Sequence, residues 1–382
     1  MAKPWKSILI QSIMKNISRK ILLNPGPATT TDTVKWAMVT EDICPREKDF
    51  CNLLDGIKDD LVKVVHGEKD YTAALFTASG TGGLEAAISS AVPKGKKILV
   101  IENGAYGTRM VNIAKTYSIE VISYKLNYGD YPDLTVVEKL LKENQQEISH
   151  LAVVHHETTT GMLNPIQEIC NLGHRYSVES IVDCMSSYAG IPIDVKKWGA
   201  EYIISSSNKC IQGMPGMVFV IFKKDLLYKL KEQKRSYYLD LHSQYTGFEK
   251  TGQMQFTPPV QVAYALRQAI DEYFVEGETG RWSRYSENWD TLYKGLQQLN
   301  FSFLLPLEQQ SKILLAIIEP SHPKYDFNAM HDFLYARGYT IYPGKGAKEA
   351  TFRLSILGDL HKRDIEGFLQ ELKAYMVQVG VL

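Results

Sequence analysis

The chain has 382 residues, enough for one large domain and a smaller one, and its 45% apolar and 23% charged residues are ordinary for a globular protein. Lysine plus arginine equals aspartate plus glutamate at 43 each, so no charge excess points to nucleic acid or an acidic surface as partner. Five cysteines, an odd number without a CxxC pair, point to reduced thiols in the cytoplasm, and no apolar run approaches a membrane span.

Residues 1–20 stand apart as a basic extension: Lys3, Lys6, Lys15, Arg19 and Lys20 precede any acidic residue. The apolar run Ile8–Ile10 is too short for a signal peptide. An arm or helix packed on the body, a linker, or a basic amphipathic helix that meets a membrane all remain open for it. Ile21-Leu-Leu-Asn-Pro-Gly-Pro27 follows, and its two prolines fix a rigid turn that either lines a pocket or merely connects. Thr33–Val39 and Asp49–His66 carry helical spacing.

Tyr71–Thr77 reads as a strand, Ala78-Ser-Gly-Thr-Gly-Gly83 as a turn, and Leu84–Ala91 as a helix. A Gly/Ser/Thr turn between strand and helix is a phosphate cradle, built from free N–H groups, hydroxyls and the helix dipole. Ser79, Gly80 and Thr81 are its expected contacts, and the spacing is that of neither a nucleotide P-loop nor GxGxxG. Lys97–Ile101 is the next strand. Tyr106 sits beyond it, where a strand-end loop becomes a helix, and an aromatic ring there either stacks on a flat ligand or packs.

Glu120–Leu126 reads as a strand, Thr135–Asn144 as a helix, and His150–His156 as a strand ending in Glu157-Thr-Thr-Thr-Gly161. His155, His156 and Glu157 look like a metal cluster, but neighbours in a strand face opposite ways, so the two histidines do not share a metal easily and none is expected there. The hydroxyls of Thr158 and Thr159 are the more useful donors. Pro165–Tyr176 is the following helix.

Two short apolar runs, Ser180–Val182 and Glu201–Ser205, then end on Asp183 and on Ser205-Ser-Ser-Asn-Lys209. Ligands bind beyond the carboxyl ends of strands in such sheets, so Asp183 and Lys209 are expected to face one crevice. A lysine amine forms a Schiff base with an aldehyde, and pyridoxal phosphate (PLP) is such an aldehyde. A buried aspartate keeps its pyridine nitrogen protonated. Taken singly, either residue is equally a turn cap or a surface cation.

Met217–Phe222 reads as a strand and Asp225–Gln233 as a helix. Tyr237–Gly252 reads as an irregular, mobile or subunit-bridging loop. Helical pattern runs from Gln255 to about Val275, and again over Arg281–Leu299. Alternating strands and helices from 71 to 209 predict a doubly wound α/β sheet. The large domain is expected over 21–276 and a smaller α/β domain over 277–382. In the latter, Arg353 lies in the strand Thr351–Ile356, as an anion clamp or a surface arginine.

These stretches carry a resemblance. LLNPGP (22–27), TASGTGG (77–83), NGAYGTRM (103–110), HHETTTGMLNP (155–165), VDCMSSYAGIP (182–192), SSSNKCIQGMPG (205–216), QFTPPVQ (255–261), YPGK (342–345) and FRLSILG (352–358) resemble the class V aminotransferases of PLP fold type I. The match spans nearly everything after residue 20. Within that family the wording of TTTGMLNP and NKCIQGMPG is nearer to the aminoethylphosphonate branch than to the alanine–glyoxylate or serine–glyoxylate one.

The resemblance implies a large mixed-sheet domain with a small C-terminal domain. It implies ping-pong amino transfer from 2-aminoethylphosphonate to pyruvate. Lys209 would hold PLP as a Schiff base and shuttle the proton, and Asp183 would pair with the ring nitrogen. Ser79, Gly80 and Thr81 would hold the phosphate, with Ser207 adding a donor. Tyr106 would stack on the ring and Thr159 would reach its hydroxyl. Thr257 would come from a neighbouring subunit, making the enzyme a homodimer. Arg353 would bind phosphonate or carboxylate, with Asn24 and Gly26 near the substrate. Three alternatives stand beside this: an alanine- or serine–glyoxylate enzyme, a cysteine desulfurase, and a non-catalytic PLP-binding module. Cys44, Cys51, Cys170, Cys184 and Cys210 all precede residue 277, which counts against the desulfurase.

Overall fold

Strands that are apolar at nearly every position need two apolar layers to cover them. The computed structural model, which describes residues 17–344, 346 and 349–382, supplies both. Seven strands form the main sheet in the order Tyr71–Thr77, Met217–Lys223, Tyr202–Ser206, Glu179–Asp183, Ile148–Val154, Lys97–Glu102, Glu120–Lys125. Met217–Lys223 runs antiparallel to both neighbours, and the other pairings are parallel.

The pleat sorts each strand between the layers. Leu99, Ile101, Leu151, Val153, Val182 and Ile203 face Leu54, Leu61, Ile169 and Leu266 from the helices Lys48–Lys63, Ile166–Arg175 and Val260–Glu276. Ile98, Val100, Ala152, Val154, Ile181 and Ile204 face Leu84, Ile88, Met110 and Ile113 from Gly80–Ala91 and Ala105–Thr116.

A second core belongs to the C-terminal part. Leu314–Ile318, Thr351–Ser355 and Tyr342–Pro343 form an antiparallel sheet. Phe352 and Leu354 pack there against Trp289, Leu334 and Phe368 from the helices Glu278–Gln298, Phe327–Ala336 and Lys362–Gln378. The pleat turns Arg353, between them, to the opposite side. Ile21–Leu22 pairs in parallel with Tyr339–Thr340 as a separate two-stranded sheet, and Ile21, Leu23 and Ala28 join this core, so the Pro-Gly-Pro loop starts from the C-terminal core. Of the basic N-terminal stretch, residues 1–16 lie outside the described residues, as does Lys345 of the YPGK stretch. Arg19 donates to Asp364, and the Lys20 ammonium lies 3.7 Å from the Tyr335 ring centre.

Three local expectations are corrected. The loop expected over Tyr237–Gly252 holds the helix Leu241–Thr251. Asp240 caps its Ser243 N–H at 2.7 Å, Gly252 ends it at φ 69°, and Leu241, Gln244 and Phe248 form its buried face. Those cap residues were signals in the sequence, masked by the surrounding polar aromatics. The helix expected from Arg281 starts at Glu278, because Gly277 alone makes the break. The strand expected to end at His156 stops at Val154; His156–Glu157 instead pairs with Met162–Leu163. No helix among the described residues is long and apolar enough to cross a membrane.

Candidate active site

Strand register decides which side chains meet. Val154 lies level with Asp183, and Asp183 with Ile204, so the loops after 154, 183 and 206 leave the sheet together. They line a cavity of about 400 Å³ whose walls include Ser79, Gly80, Thr81, Tyr106, Arg109, His156, Thr158, Asp183, Met185, Ser206, Asn208 and Lys209. Six of the residues singled out from the sequence, at 79, 80, 81, 106, 183 and 209, thus share one chamber.

Lys209 is placed by a turn that closes on itself. Ser207 N–H donates to Met217 O at 3.0 Å, Gly213 N–H to Ser207 O at 2.8 Å, and Ser207 Oγ to Met214 O and Met217 O. The Ser207 hydroxyl is therefore committed to holding the turn, and Ser206 lines the cavity instead. Across the chamber the Pro-Gly-Pro loop is tied down by Ala28 N–H to Asn208 O at 3.0 Å, and Lys209 Nζ donates to Pro25 O. Gly26 has φ +116°, and a Cβ there would lie 2.2 Å from Nζ, so only glycine lets the loop run this close to the lysine. Asn24 is buried and donates to Pro27 O at 3.3 Å, shaping that loop.

Burial sets the ionisation of the pair. Desolvation pulls Lys209 down from 10.5 to about 8, and Arg109 and Arg353 act in the same direction. Desolvation pushes Asp183 up to about 7, opposed by the Met185 N–H that it accepts at 2.9 Å. Lys209 is cationic below about pH 8 and neutral above it. The rate at which the cofactor-free protein captures an aldehyde should therefore rise through about pH 8 and level off. A midpoint near 10.5, measured by absorbance stopped flow, would mean a solvated lysine.

Ser79 is the N-cap of Gly80–Ala91, and its side chain makes no capping bond. The first-turn N–H groups of a helix have no intrahelical acceptor, which leaves those of Gly80 and Thr81 for an anion. A Cβ on Gly80 would sit 2.6 Å from Met185 Sδ. Tyr106 opens the helix Ala105–Thr116, whose start is fixed by Glu157, a fully buried carboxylate that the sequence offered only as part of a metal-like cluster with His155 and His156. Glu157 accepts Tyr106 N–H at 3.2 Å and Gly107 N–H at 3.3 Å. The Thr159 hydroxyl also donates to Glu157 and accepts from Ala105 N–H at 3.0 Å, while Thr158 lines the cavity. The structure thus gives Thr159 to the helix start and Thr158 to the chamber.

Arg353 comes from the small sheet, 6% exposed, and donates to Pro343 O at 3.0 Å and Thr158 O at 3.2 Å. Burial lowers its pKa, against the polarity of Tyr106 and Glu157 beside it. No carboxylate pairs with it among the described residues. His155 and His156 serve different hydroxyls: His155 Nδ1 lies 2.9 Å from Ser187 Oγ, and His156 lies 3.0 Å from Ser186 Oγ and 2.9 Å from Ser311 Oγ. Burial takes His156, in the cavity wall, down to about 3, so it is neutral. Thr257 is exposed and outside this chain's cavity; its carbonyl accepts from Thr77 Oγ1 at 3.4 Å. None of the five cysteines lines the cavity.

Known proteins resemble this chain in sequence and in fold. The model of the family described as aminotransferase class-V matches residues 35–367. A 2-aminoethylphosphonate–pyruvate transaminase of Bacillus cereus is 40% identical over 92% of this chain and 96% of its own. One from Bacillus anthracis is 39% identical over the same shares. Among solved structures, an alanine–glyoxylate aminotransferase from Nostoc sp. superposes with a TM-score of 0.86 at 25% identity, covering 96% of each chain. The pyridoxamine–pyruvate aminotransferase of Mesorhizobium loti has a TM-score of 0.85 at 22% identity, covering 96% of this chain and 94% of its own. With the half-buried Lys209 and the buried Asp183 facing one chamber, these matches make the chain a member of the class-V aminotransferase family.

Proposed function

We propose that this aminotransferase moves the amino group of 2-aminoethylphosphonate to pyruvate, giving phosphonoacetaldehyde and L-alanine, with PLP as cofactor. The observation that carries the cofactor is the donor set of one chamber: an imine-forming lysine with its pKa drawn to about 8, a buried aspartate, and a Ser-Gly-Thr helix start. The substrate pair rests on the transaminases of that name at 39–40% identity over nearly the whole chain.

The residues fit the cofactor's parts. Ser79, Gly80 and Thr81 take its phosphate, Asp183 its ring nitrogen, and Tyr106 its ring face. When bound, PLP supplies an electron-withdrawing ring that makes the hydrogen on an attached amine's carbon acidic. Lys209 would hold the aldehyde carbon, and its amine, in the unprotonated form, would be the group placed to move a proton at the substrate carbon. Asp183 keeps the ring nitrogen cationic by placing a buried negative charge against it. Glu157 and Thr159 fix the helix start that presents Tyr106. Ser207 holds the turn that presents Lys209. Arg353 receives the phosphonate of one substrate and the carboxylate of the other, beside the loop of Asn24 and Gly26. Thr257 reaches the phosphate of a partner subunit in a homodimer. The five free thiols suit the cytoplasm as the place of work.

Addition of 2-aminoethylphosphonate should bleach the visible absorbance of the lysine-bound cofactor, and pyruvate should restore it. Bleaching by serine or alanine but not by 2-aminoethylphosphonate would move the assignment to the glyoxylate-using enzymes. Arg353→Ala should raise KM for both substrates about 10- to 150-fold, the equivalent of the ~1.5–3 kcal/mol of a charged hydrogen bond. Steady-state kinetics with each substrate varied checks this, and a change confined to kcat would remove Arg353 from the anion site.

A further inference from the structure

Arg109 carries no sequence signal of its own, yet the fold makes it a half-buried cation in the wall of the chamber, one helical turn beyond Tyr106. Its Nη1 donates to Thr81 Oγ1 at 3.2 Å, and its guanidinium carbon lies 4.7 Å from the Tyr106 ring centre. No carboxylate lies within ion-pair distance of it among the described residues; Glu85, on the facing helix, accepts from Tyr117 instead at 2.8 Å. An arginine held by a hydroxyl and a ring face, yet without a counter-ion, is preorganised for an anion that is not part of the chain.

The chamber has two anions to hold under the reading above, on which this inference rests: the cofactor's phosphate ester and the substrate's phosphonate. Arg353 enters from the small sheet beside Thr158. Arg109 instead touches Thr81, in the first turn of the helix Gly80–Ala91. That turn offers N–H groups and hydroxyls but no full positive charge of its own. A phosphate monoester carries about −1.5 to −2 charges at neutral pH. We propose that Arg109 is the charge-balancing residue of the cofactor-phosphate site, pinning Thr81 and neutralising the phosphate from behind it, whereas Arg353 serves the substrate. Its contact with the Tyr106 ring, together with the bond to Thr81, holds the half-buried guanidinium beside the cradle.

The test compares two aldehydes that differ only in the phosphate. Dissociation constants for PLP and for pyridoxal are measured on cofactor-free protein by the absorbance of the lysine-bound aldehyde. Arg109→Gln should weaken PLP at least about tenfold and change pyridoxal less than about twofold. Arg109→Lys, which keeps the charge, should recover part of the loss. Added inorganic phosphate should compete with PLP in the wild type and lose most of that effect in Arg109→Gln. Equal weakening of both aldehydes would show that Arg109 acts through Tyr106 and the ring, overturning the proposal. Unchanged PLP affinity would overturn it too. Circular dichroism of each variant guards against misfolding. Failure of the wild type to bind either aldehyde would instead bring down the cofactor reading and this proposal with it.

Discussion

Lys209→Ala is expected to lose at least about 10⁴-fold in kcat, the upper end of what one positioned proton-transfer group contributes. It should also lose the visible absorbance that marks the lysine-bound cofactor. Both losses come from one nitrogen. In the proposed reaction the amine that would fix the aldehyde carbon is also the group that would carry the proton, and a methyl side chain does neither. The scaffold should survive, because the turn around Lys209 is closed by Ser207 and Gly213 and not by the lysine side chain. Removing Nζ leaves the Pro25 carbonyl without that donor, a modest cost at the wall of a polar chamber. Thermal melting should therefore shift little while single-turnover kinetics collapse. Transamination at the wild-type rate by this variant would end the assignment.

Asp183→Asn separates ring electronics from imine formation. The amide is nearly isosteric, and its oxygen can still accept the Met185 N–H that the carboxylate holds at 2.9 Å. What disappears is the negative charge. Removing one member of a buried ion pair costs about 3–5 kcal/mol, which corresponds to about 10²–10³-fold or somewhat more in kcat. The lysine-bound absorbance should persist, unlike in Lys209→Ala. Burial holds Asp183 up at about 7 in the cofactor-free protein, so it is neutral below that pH and charged above it. Cofactor affinity should rise as pH passes through about 7, and that step should vanish in Asp183→Asn. Titration by absorbance at fixed ionic strength measures it. A variant with wild-type kcat would show that the ring nitrogen does not depend on residue 183.

The outcome at Thr158 and Thr159 shows where sequence reasoning runs out. Both lie in one TTT run, and their chemistry is identical. Whether 158 or 159 meets the chamber depends on the tight His156–Glu157 to Met162–Leu163 pairing and on where Glu157 points. The same holds for Ser206 and Ser207: a strand ends between them, and the second hydroxyl is consumed by the carbonyls of 214 and 217. Adjacent like residues exchange roles when the chain turns, and nothing local records which way it turns.

The sequence alone determined the α/β class, since apolar β-branched runs alternating with amphipathic helices admit few other layers. It also marked the Gly-rich turn between strand and helix and the two strand-end residues, because Gly-rich turns and a lone acid or lysine after an apolar run are local signals. The tertiary structure decided the rest. It brought Gly26 against Lys209 through a loop anchored in the C-terminal core, and it buried Glu157 where it accepts the Tyr106 N–H. It gave Arg109 to Thr81 and Arg353 to the Thr158 carbonyl, both without carboxylate partners among the described residues. These are contacts between segments far apart in the chain, and their energies depend on desolvation, which exists only once the chamber has closed.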